Sequence, residues 1–290
     1  MSDQPTPRQI LEILLPHLRV AAAYAQQIQS QIVAHPDKDQ GDNFFATALT
    51  DADLSIQTFV EVALLGLFPQ VRFYGEEYEK TYNTPYFRAI DLGPADDYLI
   101  TLDPIDGTRF YLDGHPNYQI ILSVLNADDF EAVLAISPAQ NTYYYALRGA
   151  GAFKGTLLDN LNQCLPLQPE SVSNTVLLGW KMAAVADYLS DRYQVIRVKT
   201  DYSANTPIPN VNGLLSGDLA GAILSTGKFI DGAALAFIAR EMGYRVTTHD
   251  GAALPPLHQC ENYQWPGLAI ASTDQVHQDL LQALASCSPS

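Results

Sequence analysis

The chain has 290 residues, 47% of them hydrophobic and 17% charged, which supplies a core at the size where one core gives way to two and excludes disorder over most of its length. Lys and Arg total 16 against 32 Asp and Glu, a formal charge of −16; that balance excludes nucleic-acid backbones and anionic membranes as electrostatic partners, while a small anionic substrate stays open because a bound metal can invert the local field. The 3 cysteines, Cys164, Cys260 and Cys287, have no paired spacing, so neither a zinc pattern nor a disulfide framework is expected.

Met1 to Gln9 is polar and lacks the apolar region of a signal peptide, and the most apolar stretch, 118–125, is too short to span a bilayer. A soluble cytoplasmic protein is the expectation. Thr6-Pro7 reads as an N-cap followed by proline at the first helical position. Apolar residues at Ile10, Ile13, Leu14, Ala21, Tyr24, Ile28 and Ile32 follow helical spacing, and Pro16 predicts a kink. Residues 35–43 are polar and turn-like. A second helix is expected over 51–68, with Leu54, Ile56, Phe59, Val60, Ala63, Leu64 and Leu67 as its apolar stripe and Pro69 as its stop. Short strands follow at 71–74 and 98–102, then 118–125, 131–137 and 142–147 as an antiparallel meander. Gly149, Gly151 and Gly155 punctuate its end. The second half alternates: strands at 175–179, 194–198, 222–224 and 268–271, helices at 182–192, near 211–219, at 231–242 and at 274–285. The subdomain boundary is expected near residues 155–170, dividing 1–158 from 159–290.

The densest chemical signal is Asp103-Pro104-Ile105-Asp106-Gly107-Thr108. Two carboxylates sit where a strand gives way to a turn, Pro104 stiffens the bend, and Gly107 permits close backbone approach. Gly107 and Thr108 can open a helix whose free N–H groups bind an anion. Hard oxygen ligands beside a phosphate cradle suit Mg²⁺. Taken alone, Asp-Pro and Asp-Gly are ordinary turn pairs; the hexapeptide directly after an apolar strand is not.

Gly75-Glu76-Glu77 also follows a strand, although adjacent glutamates commonly mark a solvated surface. Asp231 opens an apolar helix and reads equally as a cap, as does Asp53 in Thr50-Asp51-Ala52-Asp53. Gly221 to Lys228 approximates a phosphate loop, but its glycine spacing is one residue too long and Phe229 stands where Ser or Thr is required. The 6 histidines show no metal-ligand spacing; His115, nearest the hexapeptide, reads as a loop residue.

Glu76, the 103–108 segment and Asp231 occur in the order and spacing of the inositol monophosphatase superfamily, which the chain resembles along nearly its whole length. Thr50-Asp51-Ala52-Asp53 resembles the family's Thr-x-x-Asp, and Phe68-Pro69 with Gly75-Glu76-Glu77 its Phe-Pro…Gly-Glu-Glu. Gly149-Ala150-Gly151-Ala152-Phe153 resembles Gly-x-Gly-Ala-Phe, Asp231-Gly232-Ala233-Ala234 resembles Trp-Asp-x-Ala-Ala, and Glu241-Met242-Gly243 resembles Glu-Ala-Gly. The resemblance implies an α+β fold, a layered αβαβα sandwich of two subdomains like that of fructose-1,6-bisphosphatase. The first subdomain would carry most metal ligands, and the second the last ligand and substrate contacts. It implies a homodimer and Mg²⁺-dependent, lithium-sensitive hydrolysis of a small phosphate monoester. Glu76, Asp103, Asp106 and Asp231 would bind metal through carboxylates and Ile105 through its carbonyl, holding about two or three Mg²⁺ ions. Gly107 and Thr108 would hold the phosphate, with Asp53, Thr108 and Glu76 as the catalytic residues.

The chain also departs from that pattern. Thr47 replaces an acid, Ile230 a tryptophan, and Arg109 a residue that is commonly Asn, Thr or Lys. Leu224-Ser225-Thr226 occupy the region where inositol phosphatases carry a sugar-binding acid. Another phosphomonoester than myo-inositol 1-phosphate is therefore expected to be the better substrate, with Asp201 or Asp218 as replacement acceptors in the contrary case. Sugar bisphosphatase, 3′(2′),5′-bisphosphate nucleotidase and a non-catalytic metal- or phosphate-binding relative are the alternatives. A second phosphate or a nucleotide would need basic or aromatic groups, for which Arg109, Lys181, Arg197, Lys199 and Lys228 are the candidates.

Overall fold

The computed structural model describes residues 5–34, 49–77, 98–169 and 171–287 and divides into two compact units, Met1–Pro166 and Leu167–Ser290. Its mixed sheets and helices form the expected α+β fold.

The first unit begins with helix α1, Pro7–Ile28, capped by reciprocal bonds between Thr6 and Gln9. Pro16 lies inside this helix, which continues past it. The buried face is Ile10, Leu11, Leu14, Leu15, Leu18, Ala21, Ala22 and Ala25, whereas Ile13 and Tyr24 are about 40% exposed (41% and 40%). Apolar spacing located the helix but not its rotation, because two overlapping stripes were available. Helix α2, Asp51–Leu67, shows a similar displacement. Its buried face includes the polar residues Asp53, Gln57 and Glu61 beside Ala52, Ile56, Val60 and Leu64, while Phe59 and Leu67 are exposed.

Both helices contribute to one core with the seven-stranded sheet β1-β2-β3-β4-β5-β6-β7. The strands are β1 Arg72–Gly75, β2 Leu99–Asp106, β3 Gln119–Leu125, β4 Phe130–Ser137, β5 Thr142–Leu147, β6 Gly151–Thr156 and β7 Leu165–Pro166. The β1–β2 pair is parallel and the remaining pairs are antiparallel. Two sequence expectations change here. Strand β2 runs on to Asp106 where an end at Leu102 was expected. Strand β6 lies where glycines suggested only punctuation, because pairing with β5 overrides the weak strand preference of glycine. A short helix α3, Thr108–Leu112, follows β2.

The second unit carries the strands β8 Thr175–Leu178, β9 Gln194–Arg197, β10 Gly221–Leu224, β11 Gly227–Lys228, β12 Arg245–Thr247, β13 Gln264–Trp265 and β14 Leu268–Ala271. Five of these form a sheet of order β12-β14-β10-β8-β9, and β11 pairs with β13. Strand β8 is parallel to both β9 and β10, and β14 is antiparallel to its neighbours. The helices are α4 Val198–Asp201, α5 Gly213–Ser216, α6 Gly232–Glu241 and α7 Asp274–Cys287. The helix expected over 182–192 is a short 3-10 segment, Ala183–Tyr188, and that near 211–219 shrinks to α5. The three-residue strand β12 is too brief for a periodic signal. Among the described residues, no helix is long and apolar enough to cross a membrane.

His277 on α7 shares a 2.8 Å hydrogen bond with the Thr247 hydroxyl on β12. Burial lowers its pKa below the ordinary 6.5, Arg245 adds to that effect, and Asp274 opposes it. The unfolded chain therefore takes up this proton first as pH falls. The contribution to stability is complete above about pH 6.5 and is lost below it toward the folded value. Urea midpoints across pH 5 to 7.5 are expected to fall on acidification for the native chain and to vary less in His277→Gln. Equal slopes would remove His277 as the cause.

Candidate active site

The parallel pairing of β1 with β2 sets Gly75 opposite Leu102. The Glu76 amide donates to the Leu102 carbonyl at 3.1 Å, which holds Glu76 alongside Asp103. Asp103 is buried, and one of its carboxylate oxygens accepts from the Ile105 amide at 3.1 Å. The ladder to β3 then shifts: Asp103 faces Ile121 and Asp106 faces Gln119, so β2 carries one residue more than its partner. That bulge bends the strand and re-aims Asp106, and it absorbs Pro104, which has no N–H to donate. Gly107 follows at φ 85°, in the left-handed region that other residues enter at a cost, and the chain turns into α3.

Thr50 caps α2, accepting from the amides of Ala52 and Asp53. The Asp53 carboxylate returns the bond, accepting from the Thr50 amide at 2.8 Å and the Thr50 hydroxyl at 2.5 Å. Its other oxygen stands 3.2 Å from the Thr108 hydroxyl. The helix cap and the Thr108 contact are therefore joint properties of one fully buried side chain. The Thr108 hydroxyl also reaches the Ile105 carbonyl at 2.9 Å; it has one proton, so it donates to one of the two oxygens at a time. Nearby, burial holds the Tyr111 hydroxyl well above its ordinary pKa, with Tyr118 and Asp53 adding to the effect; it stays a neutral donor to the Ala25 carbonyl at 2.7 Å.

The turn after β1 has a support that the sequence did not reveal. Gln57 on α2 is buried, and its side-chain oxygen accepts from the Glu77 amide at 2.8 Å. A β-carbon on Gly75 would stand 2.3 Å from the Gln57 amide group, so the glycine makes room for that contact. A polar residue inside an apolar helix stripe, one turn after Asp53, was the available signal.

In the second unit Asp231 is the N-cap of α6. It accepts from the Gly232 amide and lies 3.9 Å from the Lys228 ammonium. Leu224 is buried at the end of β10. Asp201 accepts from the Arg197 amide and the Thr200 hydroxyl, each at 2.8 Å, and Asp218 accepts from Ser216 at 2.6 Å. Arg109 in the first unit pairs with Asp113 at 3.0 Å, and His115 packs edge-on against Phe110. Thr47 lies outside the described residues.

Among the described residues, no group of three or more His, Cys, Asp or Glu side chains is placed so as to hold a metal ion. The donors near the bulge are carboxylate and carbonyl oxygens. Such a set fits a hard cation that keeps waters and substrate oxygens in its shell, as Mg²⁺ does. The Ile105 carbonyl has two lone pairs, so the Thr108 contact does not exhaust it.

A family model described as the inositol monophosphatase family matches residues 10–289. A protein of Neisseria meningitidis serogroup A, named as the Nus factor SuhB, is 28% identical over 243 residues, covering 80% of this chain and 85% of its own length. A histidinol-phosphatase of Mycobacterium tuberculosis is 26% identical over 249 residues, covering 82% and 85%. The structure of the Thermotoga maritima IMPase TM1415 superposes with a TM-score of 0.70 at 17% identity, over 96% of this chain and 99% of the other, a likeness of fold.

Proposed function

Since the chain belongs to the inositol monophosphatase family, we propose that it hydrolyses a small phosphate monoester with the help of Mg²⁺. The observation that carries this reading is the Asp53–Thr108 contact beside the bulge that presents Asp103, Ile105 and Asp106. Glu76, Asp103, Asp106 and Asp231, with the Ile105 carbonyl, would hold about two or three Mg²⁺ ions, which when bound lower the pKa of water and stabilise a leaving alkoxide.

The chain's own residues do the rest. Backbone N–H groups at Gly107 and Thr108 hold phosphate oxygens. Asp53 accepts the Thr108 proton, which turns the hydroxyl oxygen toward the attacking water as an acceptor. That orients the water in line with the ester bond. The water oxygen bonds to phosphorus, the P–O ester bond breaks, and the water proton passes through Thr108 toward Asp53. Glu76, held beside Asp103, keeps the carboxylate arrangement in place.

Inorganic phosphate release measured with Mg²⁺ over a panel of inositol, sugar, histidinol, glycerol and nucleoside phosphates is expected to be positive and to stop with EDTA. Absence of release from every ester would refute the proposal. It would favour a second reading, a non-catalytic factor, to which the Nus-factor name of the Neisseria relative points. Lithium at high concentration is expected to slow turnover, to an extent that changes with Mg²⁺.

Substrate choice follows from the end of β10. A leucine cannot accept the hydroxyl hydrogen bonds of a polyol, and Asp201 and Asp218 are engaged locally. Poor pairing of a buried hydroxyl costs about 1–3 kcal/mol, roughly 5- to 150-fold in kcat/KM. myo-Inositol 1-phosphate is therefore expected to fall below the best ester of the panel by that margin. If it is clearly the best, the argument from Leu224 is wrong.

A further inference from the structure

The two faces of β2 and β3 are distinguished residue by residue. Ile100, Leu102, Ile105, Ile120 and Leu122 lie in the core shared with α1 and α2. Side chains alternate along a strand, so Gln119 and Ile121 point to the other face of the sheet. Asp103 faces Ile121 and Asp106 faces Gln119, and residues opposite one another on paired strands share a face. In a regular strand Asp103 and Asp106 would point to opposite sides, because their spacing is odd. The extra residue of the bulge brings both carboxylates to the side that carries Gln119.

Gln119 is fully buried. Its side-chain nitrogen donates to the Ser137 hydroxyl on β4 at 2.8 Å, which fixes the amide plane and turns the oxygen away from Ser137. That oxygen is buried and has no hydrogen-bond partner among the described residues. A buried acceptor left in this way is costly and marks a missing donor. Its neighbours on the same face offer no proton: Asp106 and Asp103 are acceptors as carboxylates, and Ile121 is apolar. Two acceptors side by side call for a group that only donates. Water whose oxygen is bound to a cation is such a group, since both of its protons point outward. Mg²⁺ characteristically keeps several waters of this kind.

We infer that the Gln119 side-chain oxygen accepts a hydrogen bond from a water in the shell of the cation that Asp106 would hold, so that Gln119 is a positioning residue acting on the metal through water. The inference rests on the phosphatase reading and extends it by a residue that touches neither metal nor phosphate. All of its residues belong to the first unit.

The test measures Mg²⁺ affinity by calorimetry on the full chain, and the melting temperature without metal. Gln119→Leu combined with Ser137→Ala removes both partners of the 2.8 Å bond together, which leaves no new orphan. Without metal this double variant should melt at or above the native temperature, while its Mg²⁺ affinity should fall about tenfold, the scale of a lost outer-shell partner. A side chain that merely fills the core would give the reverse, a lower melting temperature and native affinity. Gln119→Glu keeps an acceptor oxygen, to which the Ser137 hydroxyl can donate in turn, and should retain the affinity. Gln119→Met, similar in shape, replaces the double variant should that fail to fold, and should show the same tenfold loss. The inference is overturned if the folded variant without the amide binds Mg²⁺ as the native chain does, or if Gln119→Glu loses affinity to the same extent. Both of those results leave Mg²⁺ binding by the native chain intact, and with it the phosphatase reading. No Mg²⁺ binding by the native chain would overturn both.

Discussion

Asp103→Asn is expected to lower kcat/KM by about a thousandfold, corresponding to roughly 4 kcal/mol of transition-state stabilisation, while the fold survives. Asp103 lies at the centre of the proposed donor set, with Glu76 beside it across the parallel β1–β2 pair and Asp106 beyond the bulge. The asparagine oxygen can still accept from the Ile105 amide, as the carboxylate does at 3.1 Å, so local geometry is kept and charge alone is removed. In the metal-free protein the change also relieves repulsion among neighbouring carboxylates. Its melting temperature without Mg²⁺ should therefore match or exceed that of the native chain, and the rise on adding Mg²⁺ should shrink. Native turnover together with unchanged Mg²⁺ binding would refute the assignment of Asp103 as a ligand.

Gly75→Ala should damage the site from outside it. The added methyl would stand 2.3 Å from the Gln57 amide group. Gln57 is buried and bonded to the Glu77 amide, so it has little room to yield. Overpacking of this kind costs about 1–3 kcal/mol. Displacing Gln57 also frees the turn that holds Glu76 beside Asp103, and loss of such outer support lowers metal affinity or activity roughly 10- to 100-fold. Thermal melts and Mg²⁺ titrations on Gly75→Ala and on the double variant with Gln57→Ala separate the two effects. The double variant should recover stability, because the clash is gone, but not Mg²⁺ affinity, because the Glu77 amide has still lost its acceptor. Recovery of both would show that Gln57 fills space without positioning the turn.

Several of these features were readable in consecutive residues. The 103–108 hexapeptide, the Thr50–Asp53 cap, the proline and cap that open α1, and the helix from Asp231 are short-range signals. They are written in caps, turns and periodicity, which depend on a few neighbours along the chain. The leucine that ends β10 is legible in the same way. The packed molecule decided the rest. It chose which stripe of α1 faces the core and made Gly151–Thr156 a strand through its pairing with β5. It gave the capping residue Asp53 a second partner 55 residues away in Thr108. It also recruited Gln57 to the Glu77 turn and brought Lys199 over the Trp180 ring. Each of these depends on contacts between segments far apart in sequence. Their energies come from burial and register, which only the assembled core supplies.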